Sequence, residues 1–242
     1  MNLVIDSGNT RIKFALFDND RIVDSGVADS KRFFEELFSF FPIDNVLISN
    51  VGKNLDILDI APEDVRVLEL SSKLPLPVKI DYETPETLGP DRIAAAVGAT
   101  AVFPRQNCLV IDVGTCITVD FIDSNSVYHG GAILPGLAMK FNALHTFTEK
   151  LPLLEVANAG FQPRLIGKST AQSILSGVVN GTVLELDGFV NRYRVRFDGL
   201  KVLITGGDSD FLGKQLGFDH VQDAELAIAG LNEILKYNEK SV

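Results

Sequence analysis

The chain has 242 residues, room for one large domain or two small ones at roughly 150 residues per domain. With 46% hydrophobic and 22% charged residues, 20 Gly and 10 Pro, its composition is globular and excludes a disordered or collagen-like chain. A formal net charge of −10 with no like-charged tail argues against a generic nucleic-acid surface.

The opening MNLVIDSGNT carries an acid at residue 6 and no basic segment ahead of an apolar one, so no secretory leader is expected. The longest nearly uncharged apolar stretch, 93–103, falls well short of the roughly 18 residues a membrane span needs. A cytoplasmic protein with neither nucleic acid nor membrane as a partner is the expectation. Cys108 and Cys116 form no CxxC, and His129, His145 and His220 have no metal-ligand spacing, so reduced thiols and no structural zinc are expected.

The first predicted element is a hairpin, LVIDSGNTRIKFALFD from Leu3, and it recurs as LVIDVGTCITVDFID from Leu109. Omitting Asn9 aligns Thr10 with Thr115 and Asp18 with Asp123. Each copy runs an apolar, β-branched strand into a polar Asp-x-Gly turn and out again as an alternating strand. Cys116, small and apolar, is expected in a buried strand. After the first hairpin the pattern predicts a helix over 31–41, strands over 45–51 and 65–70, and a helix over 90–103. Strands alternating with helices argue for an α/β fold. The polar break PRQN at 104–107 divides the chain into an N-terminal domain, 1–106, and a C-terminal domain, 107–242. The second domain continues from its hairpin through GGAILPG, a helix over 137–149, a long helix over 169–193, the strand KVLITGGD and a last helix over 223–236. Two α/β domains of similar plan, facing one another across a cleft, are predicted.

A turn rich in Asp, Gly, Asn and Thr suits the end of a polyphosphate. Gly8 permits close backbone approach and a positive φ, while Asn9, Thr10 and backbone N–H groups donate to phosphate oxygens. Asp6 can hold Mg²⁺ through water, and Lys13 offsets charge. Turn composition by itself also fits an ordinary hairpin. Its repetition at both domain starts makes duplicated phosphate loops the better account. No GxxxxGK[ST], GxGxxG or GxSxG pattern occurs.

Other clusters read two ways. TGGD at 205–208 is either a strand-ending turn or a surface for a flat base or ribose. Pro90, Asp91 and Arg92 suit the first turn of a helix, with the acid at the positive end of the dipole, or serve chemistry. GGAILPG is a close-approach loop or a plain Gly-Pro connection. On the long helix Ile174, Val178, Leu186 and Val190 recur at helical spacing beside Gly177 and Gly181. That pattern fits a subunit contact or packing within one subunit.

Taken in order, DSGNTRIK, Y-x-x-P-x-x-LGPDR, DVGT-x-x-TVD, GGAILPG, GKST and TGGD resemble type III pantothenate kinases over residues 6–208. The resemblance implies duplicated actin-like (ribonuclease H-like) α/β domains with a nucleotide cleft between them. The implied reaction moves the γ-phosphate of ATP, bound with Mg²⁺, to the primary hydroxyl of pantothenate, giving 4′-phosphopantothenate in the first step towards coenzyme A. Residue by residue, it places ATP on Asp6, Ser7, Gly8, Asn9, Thr10, Arg11, Ile12, Lys13 and Thr115, and a monovalent cation, K⁺ or NH₄⁺, on Asp112. Pantothenate would meet Tyr82, Gly89, Pro90, Asp91, Arg92 and Thr170, with Asp91 the catalytic proton acceptor. A homodimer, with the long helix in its contact, is implied as well. Arg92 suits the carboxylate of pantothenate as a fork-shaped partner. A sugar kinase of the same superfamily would need more hydroxyl-binding acids than LGPDR offers, and a non-catalytic transcriptional accessory homologue would have no need of Asp91.

Overall fold

The computed structural model describes residues 1–8, 11–50, 57–71, 73–155 and 163–239. By compactness the chain forms two units. The first is Met1–Arg105, Ile122–Gly130 and Glu225–Val242, and the second is Gln106–Phe121 and Gly131–Ala224. The first crossing falls within PRQN. A short inner segment and the C-terminal stretch then return to the first unit, so the units are not two contiguous halves of the chain.

In the first unit β1 (Asn2–Ser7) and β2 (Ile12–Asp18) form the hairpin expected from LVIDSGNT. β3 (Arg21–Ala28) follows β2 antiparallel, while β4 (Asn45–Asn50) and β5 (Arg66–Glu69) lie parallel, giving the order β3-β2-β1-β4-β5. Leu3, Val4 and Ile5 are all fully buried, as a central strand covered on both faces requires. One face packs on α1 (Lys31–Phe40), which buries Phe34 and Leu37 in a core shared with Phe14. On α2 (Pro90–Val102) every residue from Arg92 to Ala99 is buried, and α7 (Leu226–Glu239) lies against it. That approach depends on glycine, because a Cβ at Gly98 would collide with the Leu226 carbonyl and one at Gly230 with the Ala94 carbonyl. α7 belongs to the first unit for this reason. β3 went unpredicted because seven of its eight residues are exposed, leaving no apolar alternation to read.

The second hairpin, β7 (Cys108–Val113) and β8 (Cys116–Ile122), is also formed. With β6 (Lys79–Ile80), β9 (Val127–Pro135), β10 (Lys201–Thr205) and β11 (Val221–Gln222), it makes a sheet of order β11-β10-β7-β8-β9-β6. GGAILPG is therefore mainly strand, neither loop nor simple connection: its first six residues end β9, and Gly136 caps α3 (Leu137–Thr146). Within the second unit Phe121 stacks on Phe197 at 4.1 Å between ring centroids, with Tyr193 alongside.

The long helix is α4 (Thr170–Leu175), one π turn (Ser176–Asn180) and α5 (Gly181–Arg196). Ile174, Val178, Leu186 and Val190 are buried in the core of their own unit, so of the two arrangements the stripe allowed it takes packing within one subunit. Among the described residues Gly177 and Gly181 mediate no close packing, since a Cβ at either would meet none of them within 4 Å. A short helix, α6 (Ser209–Gly213), follows TGGD.

Candidate active site

Each unit places one of the repeated Asp-Gly turns at the end of its central strand. In the first, Asp6 lies opposite Lys13 on β2 and Ser49 on β4. The Ser49 hydroxyl, fully buried, donates to Asp6 Oδ1 at 3.0 Å. Burial raises the Asp6 pKa most strongly. The Ser49 bond opposes that rise, the negative charge of Asp91 adds to it, and Lys13 counters it, with a net upward shift. Asp6 and Asp91 thus share one electrostatic environment although 85 positions separate them in a 242-residue chain. Gly8 donates its N–H to the Arg11 carbonyl at 3.1 Å. It is not among the glycines at positive φ, so its value is closeness and not a left-handed backbone. Ser7 is buried, Arg11 exposed, and Ile12 and Lys13 half-buried, while Asn9 and Thr10 lie outside the described residues.

The LGPDR segment starts α2 as its composition suggests. Gly89 is the N-cap, Pro90 the first helical residue, and Asp91 Oδ1 accepts the Arg92 N–H at 2.9 Å. A Cβ at Gly89 would strike that carboxylate, so glycine lets Asp91 fold back over the helix start. The Arg92 side chain turns inward and is only 7% exposed. Its guanidinium carbon stands 5.9 Å from the ring centroids of both Tyr82 and Tyr128. Gly130, at φ +85°, lies beneath Tyr82, whose ring would be 2.9 Å from a Cβ there. The first unit therefore brings together Asp6, Lys13, Asp91, Arg92, Gly89 and Tyr82 on the ends of β1, β2 and α2 and the segment after β6.

Next to this cluster His129 places Nδ1 3.1 Å from Asp81 Oδ2 and Nε2 3.2 Å from Asp123 Oδ2. Burial tends to raise the Asp123 pKa. Hydrogen bonds from the Val127 N–H, His129 and the Asn125 N–H outweigh it and hold the carboxyl below its usual range.

In the second unit Asp112 is the penultimate residue of β7, opposite Thr205, and the turn closes through the Gly114 N–H to the Cys116 carbonyl at 3.0 Å. TGGD folds onto this turn. Gly206, at φ +98°, lies so close to Asp112 Oδ1 and the Val113 carbonyl that no Cβ fits, and the Asp208 N–H donates to Val113 O at 3.0 Å. Burial raises the Asp208 pKa. Gly136 presses on the same turn and donates its N–H to the Thr115 carbonyl at 3.2 Å. GGAILPG and TGGD both support the second loop through glycine. Thr115 is exposed. So is Cys116, contrary to the buried strand position expected of it, and its Sγ is 3.9 Å from Met139 Sδ. Thr170 opens α4 behind the N-cap Ser169 and is exposed.

Sequence reasoning missed Ser49, Tyr128 and Gly130 as neighbours of the candidate residues. Ser49 left a faint signal, a serine closing the apolar run VLI. Tyr128 left none, because its contact with Arg92 joins segments far apart in the chain. Among the described residues no group of three or more His, Cys, Asp or Glu side chains is arranged to hold a metal ion, and no helix is long and apolar enough to cross a membrane.

Known proteins share this fold and sequence. A solved Campylobacter jejuni structure, assigned to the Baf family of transcriptional activators, superposes with a TM-score of 0.63 over 98% of this chain and 99% of its own, at 24% identity. Together with the two hairpin-led units, this makes the fold a duplicated actin-like α/β fold. In sequence, the type III pantothenate kinase of Christiangramia forsetii is 42% identical over 244 aligned positions, covering 99% of each chain. That of Cytophaga hutchinsonii is 43% identical, covering 98% of this chain and all of its own. The family model for type III pantothenate kinase matches residues 2–192, a span that takes in both Asp-Gly turns and the LGPDR cluster. With relatives this similar from end to end and a family match across both Asp-Gly turns, the chain belongs to the type III pantothenate kinase family.

Proposed function

We propose that this chain is an ATP-dependent pantothenate kinase that forms 4′-phosphopantothenate and ADP, the first step of coenzyme A biosynthesis. The carrying observation is the shared environment of Asp6 and Asp91, with buried Arg92 next to Asp91: a carboxylate on the first Asp-Gly turn, a second acid and a buried guanidinium in one place.

The chemistry asks little covalent work of the protein, so catalysis is positioning and charge neutralisation. ATP is held by Ser7, Gly8, Asn9, Thr10, Arg11, Ile12, Lys13 and Thr115. Arg92 binds the pantothenate carboxylate, while Tyr82, Gly89, Pro90 and Thr170 contact the rest of the molecule. Asp91 accepts a hydrogen bond from the primary hydroxyl and takes its proton as the oxygen bonds to the γ-phosphorus. The bond to the β-phosphate oxygen breaks, and ADP leaves. An ionised Asp is too weak a base to deprotonate an alcohol beforehand, so the proton moves late.

The donors fit the cations this reaction uses. Asp6 is a hard oxygen donor whose ionised form is disfavoured by burial, a cost that a nearby Mg²⁺ offsets. Asp112 Oδ1 and the Val113 carbonyl oxygen both lie close to Gly206, two hard oxygen donors of the kind that K⁺ or NH₄⁺ takes. When bound, the cations neutralise charge that builds on the phosphates.

The protein acts in the cytoplasm as a homodimer, with no nucleic-acid or membrane partner. Light scattering should give about twice the 26.3 kDa chain mass, and a monomer with full activity would reject the dimer. For the activity, mass spectrometry of a reaction holding ATP, Mg²⁺, K⁺ and pantothenate should show phosphopantothenate. Its absence would reject the reading, as would equal phosphorylation of sugars or short hydroxy acids.

A further inference from the structure

We infer that Tyr128 is a positioning residue for the substrate carboxylate: its buried ring, paired with Tyr82, holds the Arg92 guanidinium in the orientation that binds pantothenate. The inference rests on the pantothenate-kinase reading and adds to it a residue that does not itself reach the substrate.

A free arginine side chain has many rotamers, and ordering it on binding costs affinity. Here that freedom is removed beforehand. The guanidinium carbon is equidistant from two tyrosine rings, 5.9 Å from each, and the rings stand 6.2 Å apart at 52°. Both distances lie within the range where a ring face attracts a cation, and a weakly hydrated guanidinium suits the buried setting. Tyr128 is fully buried and Tyr82 only half-buried, so Tyr128 acts through Arg92 while Tyr82 can meet a ligand as well.

The backbone keeps the two rings in place. β6 and β9 are parallel neighbours, and the Asp81 N–H donates to the carbonyl of Tyr128 itself at 2.9 Å. His129 ties the following position to Asp81 and Asp123 from its two ring nitrogens. Gly130 leaves room for the Tyr82 ring across the strand. This ladder orders the rings, and the rings order the cation.

The test is steady-state kinetics on the full-length protein with Tyr128→Leu and Tyr128→Phe. In Tyr128→Leu, KM for pantothenate should rise about tenfold, within the range of one cation–π contact in a buried site. KM for ATP and kcat should stay within about twofold, and Tyr128→Phe, which keeps the ring face, should restore wild-type KM. A folding defect would instead lower kcat and shift both KM values. If the Leu variant does not fold, fluorinated phenylalanines at position 128 keep the shape while draining the ring of its negative face, and KM for pantothenate should climb with fluorine number. An unshifted KM for pantothenate in either series overturns the inference. So does a parallel rise in KM for ATP, or a Phe variant as impaired as Leu. No pantothenate turnover by the unsubstituted protein would fail the kinase reading and this inference together, whereas turnover with an unshifted KM fails this inference alone.

Discussion

Ser49 donates its hydroxyl hydrogen to Oδ1 of Asp6 across the β1–β4 pair, a 3.0 Å bond that opposes the burial raising the pKa of that carboxyl. Because the folded-state pKa lies above the unfolded one, Asp6 contributes stability at pH values below its unfolded pKa and loses that contribution as pH rises through the folded pKa. At neutral pH the ionised group is a cost to the fold. Asp6→Asn keeps an acceptor for Ser49 and removes the charge, so it should melt at a higher temperature than wild type near pH 7, with the advantage shrinking towards about pH 4. Turnover should fall by about 10² or more, since the carboxylate proposed to hold Mg²⁺ is lost. Thermal melts across that pH range check the first part, and a lower melting temperature for the variant at pH 7 would contradict it.

Asp91→Asn should reduce kcat by about 10² or more while ATP still binds, because a proton acceptor is worth roughly 10²–10⁴ in rate and the amide preserves shape. The Arg92 N–H can still be accepted by the amide oxygen, so the helix start survives. Steady-state kinetics with a nucleotide-binding titration separates the two effects. Near-full turnover would reduce Asp91 to helix-start chemistry.

Activity should require K⁺ or NH₄⁺, with the cation on Asp112, whose Oδ1 lies close to Gly206. Rates measured with K⁺, Na⁺ and Tris as the added cation decide this. Equal rates would remove the monovalent cation from the reaction.

Gly230→Ala should destabilise the protein by about 1–3 kcal/mol, because its Cβ would run into the Ala94 carbonyl and force α7 away from α2. A drop in Tm of about 2–10 °C is expected for a chain of this size. Gly177→Ala on the long helix is the control, since its Cβ would meet none of the described residues within 4 Å. It should leave Tm unchanged or raise it slightly, as alanine favours helix over glycine. Equal melting of Gly230→Ala and wild type would show that the helices can separate at no cost.

Local patterns carried much of this protein. The repeated Asp-Gly hairpins are legible because strand, turn and strand each leave a short-range mark: β-branched runs, turn residues, alternation. Pro90 at the head of an alanine-rich run marks the start of α2 for the same reason, and the clusters at 6–13, 89–92 and 112–115 stand out because each is contiguous. The buried stripe Ile174, Val178, Leu186 and Val190 was visible as a stripe. Its occupant was not, since periodicity shows that a face is apolar and cannot say which surface covers it. β3, exposed almost throughout, exists because β2 supplies its hydrogen-bond partners, and no property of RIVDSGVA announces that. The return of α7 to the first unit depends on Gly98 and Gly230 meeting carbonyls of the facing helices, and the setting of Arg92 depends on Tyr82 and Tyr128, which approach only once β6 and β9 have paired. Backbone propensity and turn chemistry act over a few residues and so are written in the chain. Burial, close approach and the environment of a charge are set by partners distant in sequence, and those exist only once the chain has folded.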